Sequence, residues 1–169
     1  MSRLQFQATD AKVAYLAVVY HLGRPGSEID PETMGEHRAS LAPLAEAIRG
    51  QLDQAVTSVE ANSWQVLRLG RALQGASNEL RQYGIAEGRS AVAGFSEALV
   101  ELWPEAAADP SIASDLVQHA VMLQRRLSAA VAQAEAEIAA EAAAAEAERE
   151  ARRGRWWQVW RGLRGLRPS

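Results

Sequence analysis

The stretch LAPLAEAIRGQLDQAVTSVEANSWQVLRLGRALQGASNELRQY, residues 41–83, decides the fold. Along it Leu41, Ala45, Ile48, Leu52, Ala55, Val59, Asn62, Val66, Leu69, Leu73, Ala76, Leu80 and Tyr83 follow one another in alternating steps of four and three. Side chains spaced in this way share one face of a helix, and that face must be covered by other helices. The pattern predicts one rod over about residues 40–83, roughly 65 Å long at the usual helical rise. Its single polar position, Asn62, suits either a register device in a homodimer or a satisfied seam residue within one bundle.

Upstream, Val13, Leu16 and Tyr20 form a stripe that Ala14, Tyr15, Val18 and Leu22 widen until little polar face remains. This predicts a buried helix over about 7–22, closed by Gly23 and a Pro25-Gly26 turn. Asp30-Pro31-Glu32 then carries an N-cap, a first-turn proline and a dipole-matched acid, with Ile29 and Met34 placed as a hydrophobic staple. Because a proline deep in a helix removes a hydrogen bond, Pro43 predicts a short helix over about 31–38, a break or kink, and then the rod, with Ser40 as its cap.

Downstream, Gly84 and Ile85 suit a Schellman ending for the rod. Val92, Phe95, Ala98, Leu99 and Leu102 predict a helix over about 90–103, stopped by Pro104. Asp109-Pro110 opens a last long helix whose stripe is Ile112, Leu116, Ala120, Leu123, Leu127 and Val131. From 132 to 151 Ile138 is the only large apolar residue among Ala and Glu, as in a solvated helical spacer. The expected fold is therefore all-α: a bundle of four to five helices over 1–131, an Ala/Glu-rich helical extension over 132–153, and a cationic Trp-rich tail over 154–169.

The chain has no cysteine, which removes disulfides, thiolate metal sites and a cysteine nucleophile. Its longest apolar run, Val13–Tyr20, is far short of the about 20 residues a bilayer requires, and no cleavage site follows it. A cytoplasmic protein, or one peripheral at the inner face of a membrane, is expected. Charge is divided unevenly. Residues 1–148 carry 11 Arg and Lys against 20 Asp and Glu, net −9, whereas 149–169 carry seven Arg and one Glu, net +6. A basic end on an acidic body points to a separate task for that end.

The tail is the strongest functional signal. At helical spacing Trp156, Val159, Trp160, Leu163 and Leu166 share one arc, with Trp157 beside it and Arg155, Arg161, Arg164 and Arg167 around it. Tryptophan favours the headgroup layer and arginine an anionic leaflet, so the segment reads as a membrane-surface anchor. The same residues are those of protein hot spots, so docking into a groove on a partner or on the chain's own bundle is the competing reading. Nucleic acid is disfavoured by the acidic body and the lack of a recognised binding motif.

His21, His37 and His119 fall on three different expected helices without metal-ligand spacing, and each reads as a surface or seam residue. His37 only faintly resembles a phosphotransfer histidine, since Arg38, Ala39, Ser40 and Leu41 follow it where lysine and glycine are usual. Glu32 and Glu36 read as a solvated face, and Gly84 and Gly88 lack the lysine and preceding strand of a phosphate loop. No catalytic, cofactor-binding or metal-ligating set is expected. The function that fits is a non-enzymatic adaptor or scaffold tethered through its tail to an anionic membrane or a larger protein assembly. A His-dependent phosphotransfer bundle is the alternative.

Overall fold

The computed structural model describes residues 1–24, 31–86 and 88–164; at 31, 32, 34 and 154–164 it describes the backbone alone. The order of elements is β1 (Ser2–Gln7), α1 (Ala8–Gly23), α2 (Pro31–Arg49), β2 (Val56–Ala61), α3 (Ser63–Ile85), α4 (Phe95–Leu102), a 3-10 turn (Pro104–Ala107) and α5 (Ile112–Arg164). With 76% of residues helical, the chain is mostly α as the sequence predicts, but it also carries a two-stranded sheet.

The rod expected over 40–83 is instead two helices separated by a strand. After Arg49 the chain turns, with Gly50 N–H donating to Glu46 O and Gln51 N–H to Ile48 O. Gln51 then holds the strand that follows. Its Oε1 accepts from Ser58 N at 3.1 Å, its Nε2 donates to Ser58 O at 3.2 Å, and its carbonyl accepts from Thr57 Oγ1 at 3.1 Å. Val56, Thr57 and Val59 are β-branched and favour this extended backbone. Asn62 ends the strand and caps α3. Its Oδ1 accepts from Gln65 N at 2.9 Å while Gln65 Oε1 accepts from Asn62 N at 2.9 Å, a reciprocal capping box. Exposed and committed to that cap, Asn62 does not occupy a helical heptad seam.

β1 pairs antiparallel with β2 from Ser2↔Ala61 to Gln7↔Val56. Alternation sends Leu4 and Phe6 inward with Thr57, Val59 and Ala61, and all five are buried. The sheet therefore ties the start of the chain to its middle.

α1 matches its expected span closely and packs against α2, α3 and α4. Where it meets α3 there is no room for a side chain on Gly75, whose would-be Cβ overlaps the Tyr20 ring. The same closeness recurs between α3 and α5, where a Cβ on Gly70 would lie 2.8 Å from Val131 Cγ2. At the other end of α3, Gly84 faces Ser114, so the two helices run antiparallel. Asp10, buried on α1, is neutralised by Arg126 of α5 at 2.6 Å.

Further expectations need correcting. α2 runs unbroken through Pro43. Pro43 and Ala39 are both exposed, so the carbonyl that loses its donor can turn to water, which lowers the cost of a proline inside the helix. α3 continues through Gly84 to Ile85, which is 83% exposed, so the Schellman contact with Leu80 is absent. α4 starts at Phe95 rather than near Ser90, because Gly94 adopts φ 75°, a left-handed conformation that breaks the helix behind it. The expected cap at Asp30 and the Ile29–Met34 staple lie outside the described residues.

The chain divides into two compact units, Met1–Ala134 and Glu135–Ser169. The first contains the hydrophobic core, centred on Phe6, Leu16, Ile48, Leu69, Leu73 and Phe95. In the second, every residue from 139 to 153 is exposed, and Arg152 Nη2 meets Glu148 Oε1 at 3.1 Å.

Candidate functional site

Two regions concentrate unusual chemistry. The first is the tail. Its backbone is helical from 154 to Arg164 as the continuation of α5. The side chains of Arg155, Trp156, Trp157, Val159, Trp160, Arg161, Leu163 and Arg164 lie outside the described set, as do Leu166 and Arg167 entirely. A helical backbone is the form in which positions 156, 159, 160 and 163 share an arc. Among the described residues, no helix is long and apolar enough to cross a membrane.

The second region is a junction of α1, α2 and α3. His21, in the last turn of α1, is 4% exposed and stacks on His37 of α2, ring centroids 5.1 Å apart. His21 Nε2 and His37 Nδ1 are 2.9 Å apart, so one ring donates its hydrogen to the other. His119 stands apart, exposed on α5.

Among the described residues, the charge around this pair is mostly positive. Arg24 follows α1, and Arg68 and Arg71 project from α3. Arg68 is partly buried; its Nη1 donates to Glu36 O at 3.1 Å and its guanidinium lies over the Trp64 ring at 5.4 Å. Burial, reinforced by repulsion from Arg24, His37, Arg68 and Arg71, pushes the His21 imidazole down to about 4. Burial also lowers His37, with Arg68 and Arg24 adding repulsion and the Glu36 carboxylate opposing. Desolvation lowers Arg68 from its ordinary value as well, again against Glu36. Both imidazoles are thus held neutral near neutral pH, and the guanidinium groups supply the charge.

Two buried polar atoms here lack a hydrogen-bond partner among the described residues: Arg24 Nε and Ser40 Oγ. Ser40 lies one turn beyond His37, and its carbonyl accepts from Gln65 Nε2 at 2.8 Å, one turn before Arg68. Taken one at a time in the sequence, the histidines give no sign of this pairing, and the arginines do not stand out. The available signal is spacing: Arg68 and Arg71 are an i,i+3 pair on one face of α3, and Arg24 stands three residues after His21, just past the end of α1. Their convergence depends on which helices pack together.

No protein-family model, curated protein or solved structure matches the chain. Among the described residues, no group of three or more His, Cys, Asp or Glu side chains is placed to hold a metal ion.

Proposed function

We propose that the protein is a non-enzymatic helical adaptor that attaches to an anionic membrane surface through residues 155–167. The observation that carries this reading is the charge and tryptophan contrast. Net charge +6 and three tryptophans within five positions follow 148 residues of net charge −9. The helical backbone to Arg164 supports it, because a preformed helix reduces the ordering cost of binding. In the headgroup layer the indole rings gain an apolar medium while the arginines meet lipid phosphates, each worth about 1 kcal/mol near an anionic leaflet. An acidic body is repelled by the same leaflet, which leaves contact to the tail.

Vesicle co-sedimentation tests the reading directly. The full chain should bind anionic but not neutral vesicles, with weaker binding as salt shortens the screening length to about 8–10 Å. Trp156→Ala with Trp160→Ala should abolish most of that binding and leave the helical spectrum of residues 1–134 intact. An intact protein that ignores anionic vesicles at low salt would exclude the membrane, and the tail would then be a docking peptide for a protein groove.

A further inference from the structure

The junction of α1, α2 and α3 has no part in the tail's task, yet it gathers three guanidinium groups around a stacked imidazole pair. We infer that this junction is a binding site for a small soluble phosphate-like oxyanion, held by Arg24, Arg68 and Arg71 with His21 and His37 beside it. The inference is independent of the membrane reading.

Four observations converge on it. Arg24, Arg68 and Arg71 each repel a proton on His21, and among the described residues the Glu36 carboxylate acts against them at His37. Such a gathering of like charge within an acidic body is unfavourable unless a counter-charge occupies it. Secondly, Arg24 Nε is buried with no hydrogen-bond partner among the described residues. A buried guanidinium donor left unmatched costs free energy, which is recovered if the Arg24 side chain turns to meet an oxyanion through a charge-assisted bond. Thirdly, Arg68 is fixed from two sides, by Glu36 O and by the Trp64 ring, so its remaining donors are held in place before any ligand arrives. Fourthly, the imidazole pair is bonded internally at 2.9 Å, so the ring that accepts that bond keeps the hydrogen on its other nitrogen for an anion.

A divalent cation fits the same place poorly. Two imidazoles are present with one nitrogen of each engaged in their mutual bond, no further described ligand completes a set of three, and three guanidinium groups would repel the metal. A bilayer surface also fits poorly, because His21 is 4% exposed and Arg24 Nε is inaccessible to water. A small anion matches this partial burial, because His37 is half-buried and Arg71 is exposed beside the buried His21. Phosphate and phosphorylated metabolites are the ligand class with the required size, charge and acceptor count.

Calorimetric titration of the full chain with inorganic phosphate, near neutral pH and at low ionic strength, tests the site. Saturable one-to-one binding is expected. The exchange of Arg24→Gln with Arg71→Gln should weaken it by about tenfold or more, since each charge-assisted bond is worth roughly 1.5–3 kcal/mol. Arg49→Gln with Arg81→Gln removes the same charge elsewhere on the surface and should leave affinity unchanged. If the first double variant does not fold, Arg71→Gln alone, at an exposed position, should still weaken binding. Ring-nitrogen NMR should show His21 and His37 responding to phosphate while His119 does not. The site is refuted by absence of saturable binding, by equal losses in the two double variants, or by phosphate remaining covalently attached after gel filtration. Loss of vesicle binding in the Arg24/Arg71 variant without loss of phosphate binding would also refute it, because the cluster would then serve lipid headgroups.

Discussion

Helix α3 and the exposed part of α5, residues 139–153, have the same backbone for opposite reasons. α3 contains Gly70, Gly75 and Gly84, and each glycine costs a helix about 1 kcal/mol relative to alanine. It is helical because Val66, Leu69, Leu73, Ala76, Leu80 and Tyr83 are buried against its neighbours, and two of the glycines are what let those neighbours approach. Residues 139–153 contain no glycine and are rich in alanine and glutamate, yet none is buried. There the helix is carried by intrinsic propensity and local pairs such as Glu148 with Arg152. One helix is therefore imposed by tertiary structure and the other is written locally, and they should fail differently.

The largest contrast should come from a core truncation. Leu73→Ala should destabilise the Met1–Ala134 unit by about 2–5 kcal/mol in denaturant unfolding, because Leu73 is fully buried and leaves a cavity. A loss below about half a kcal/mol would show that α3 does not depend on packing. Acid should separate the regions next. The His21 imidazole is held near 4 in the folded chain and returns to about 6.5 when unfolded. The unfolded state therefore binds the extra proton first, so stability present above about pH 6.5 is lost as pH falls toward 4, by about 3 kcal/mol in all. The difference in stability between the parent chain and His21→Gln, followed across that window, should shrink toward low pH; a constant difference would remove the linkage.

A smaller effect is expected at the cap. Asn62→Ala should cost about 1 kcal/mol by leaving the first turn of α3 without its acceptor. No measurable loss would mean that packing alone sets where α3 begins. Smallest of all, Ala143→Gly should leave the unfolding of Met1–Ala134 within about half a kcal/mol while increasing amide exchange over 139–153. Equal protection of 139–153 and α3 in the parent chain would break the comparison, since it would require packing on the exposed segment.

The helices whose apolar spacing reflects burial were legible in the sequence. α1, the proline start of α2, the stop before Pro104 and the stripe of α5 from Leu116 to Leu127 fall where periodicity and punctuation put them. The strand at 56–61 was hidden because the heptad count passes through it without a slip. Val59 is buried in either geometry, and Ala55 and Leu52 are apolar without being deeply buried. The contrary signals were present in Gly50, in the β-branched Val56, Thr57 and Val59, and in Asn62 followed three residues later by Gln65. A capping-box spacing inside an apparent heptad run outweighs the run, because a cap satisfies backbone donors that a continuing helix would not expose. β1 was hidden for a different reason: with only Leu4 and Phe6 alternating, its partner lies too far along the chain to be inferred locally. The His21–His37 pair was beyond local reading altogether, since it exists only where α1 meets α2.

The pairing of β1 with β2 also has a consequence for synthesis. Ser2 emerges from the ribosome 54 residues ahead of Val56 (56 − 2), and β1 has no other strand to pair with among the described residues. At about 5–20 residues per second, Leu4 and Phe6 must wait roughly 3–10 s for their partner. Closing so long a loop is also the step that local helix formation cannot hasten. A nascent chain stalled before Val56 should therefore be cut by protease within residues 2–7, whereas the finished chain should resist there. Helix α1, translated directly after β1, is in the meantime a nascent segment with its apolar faces uncovered, which is the state that holdase chaperones recognise.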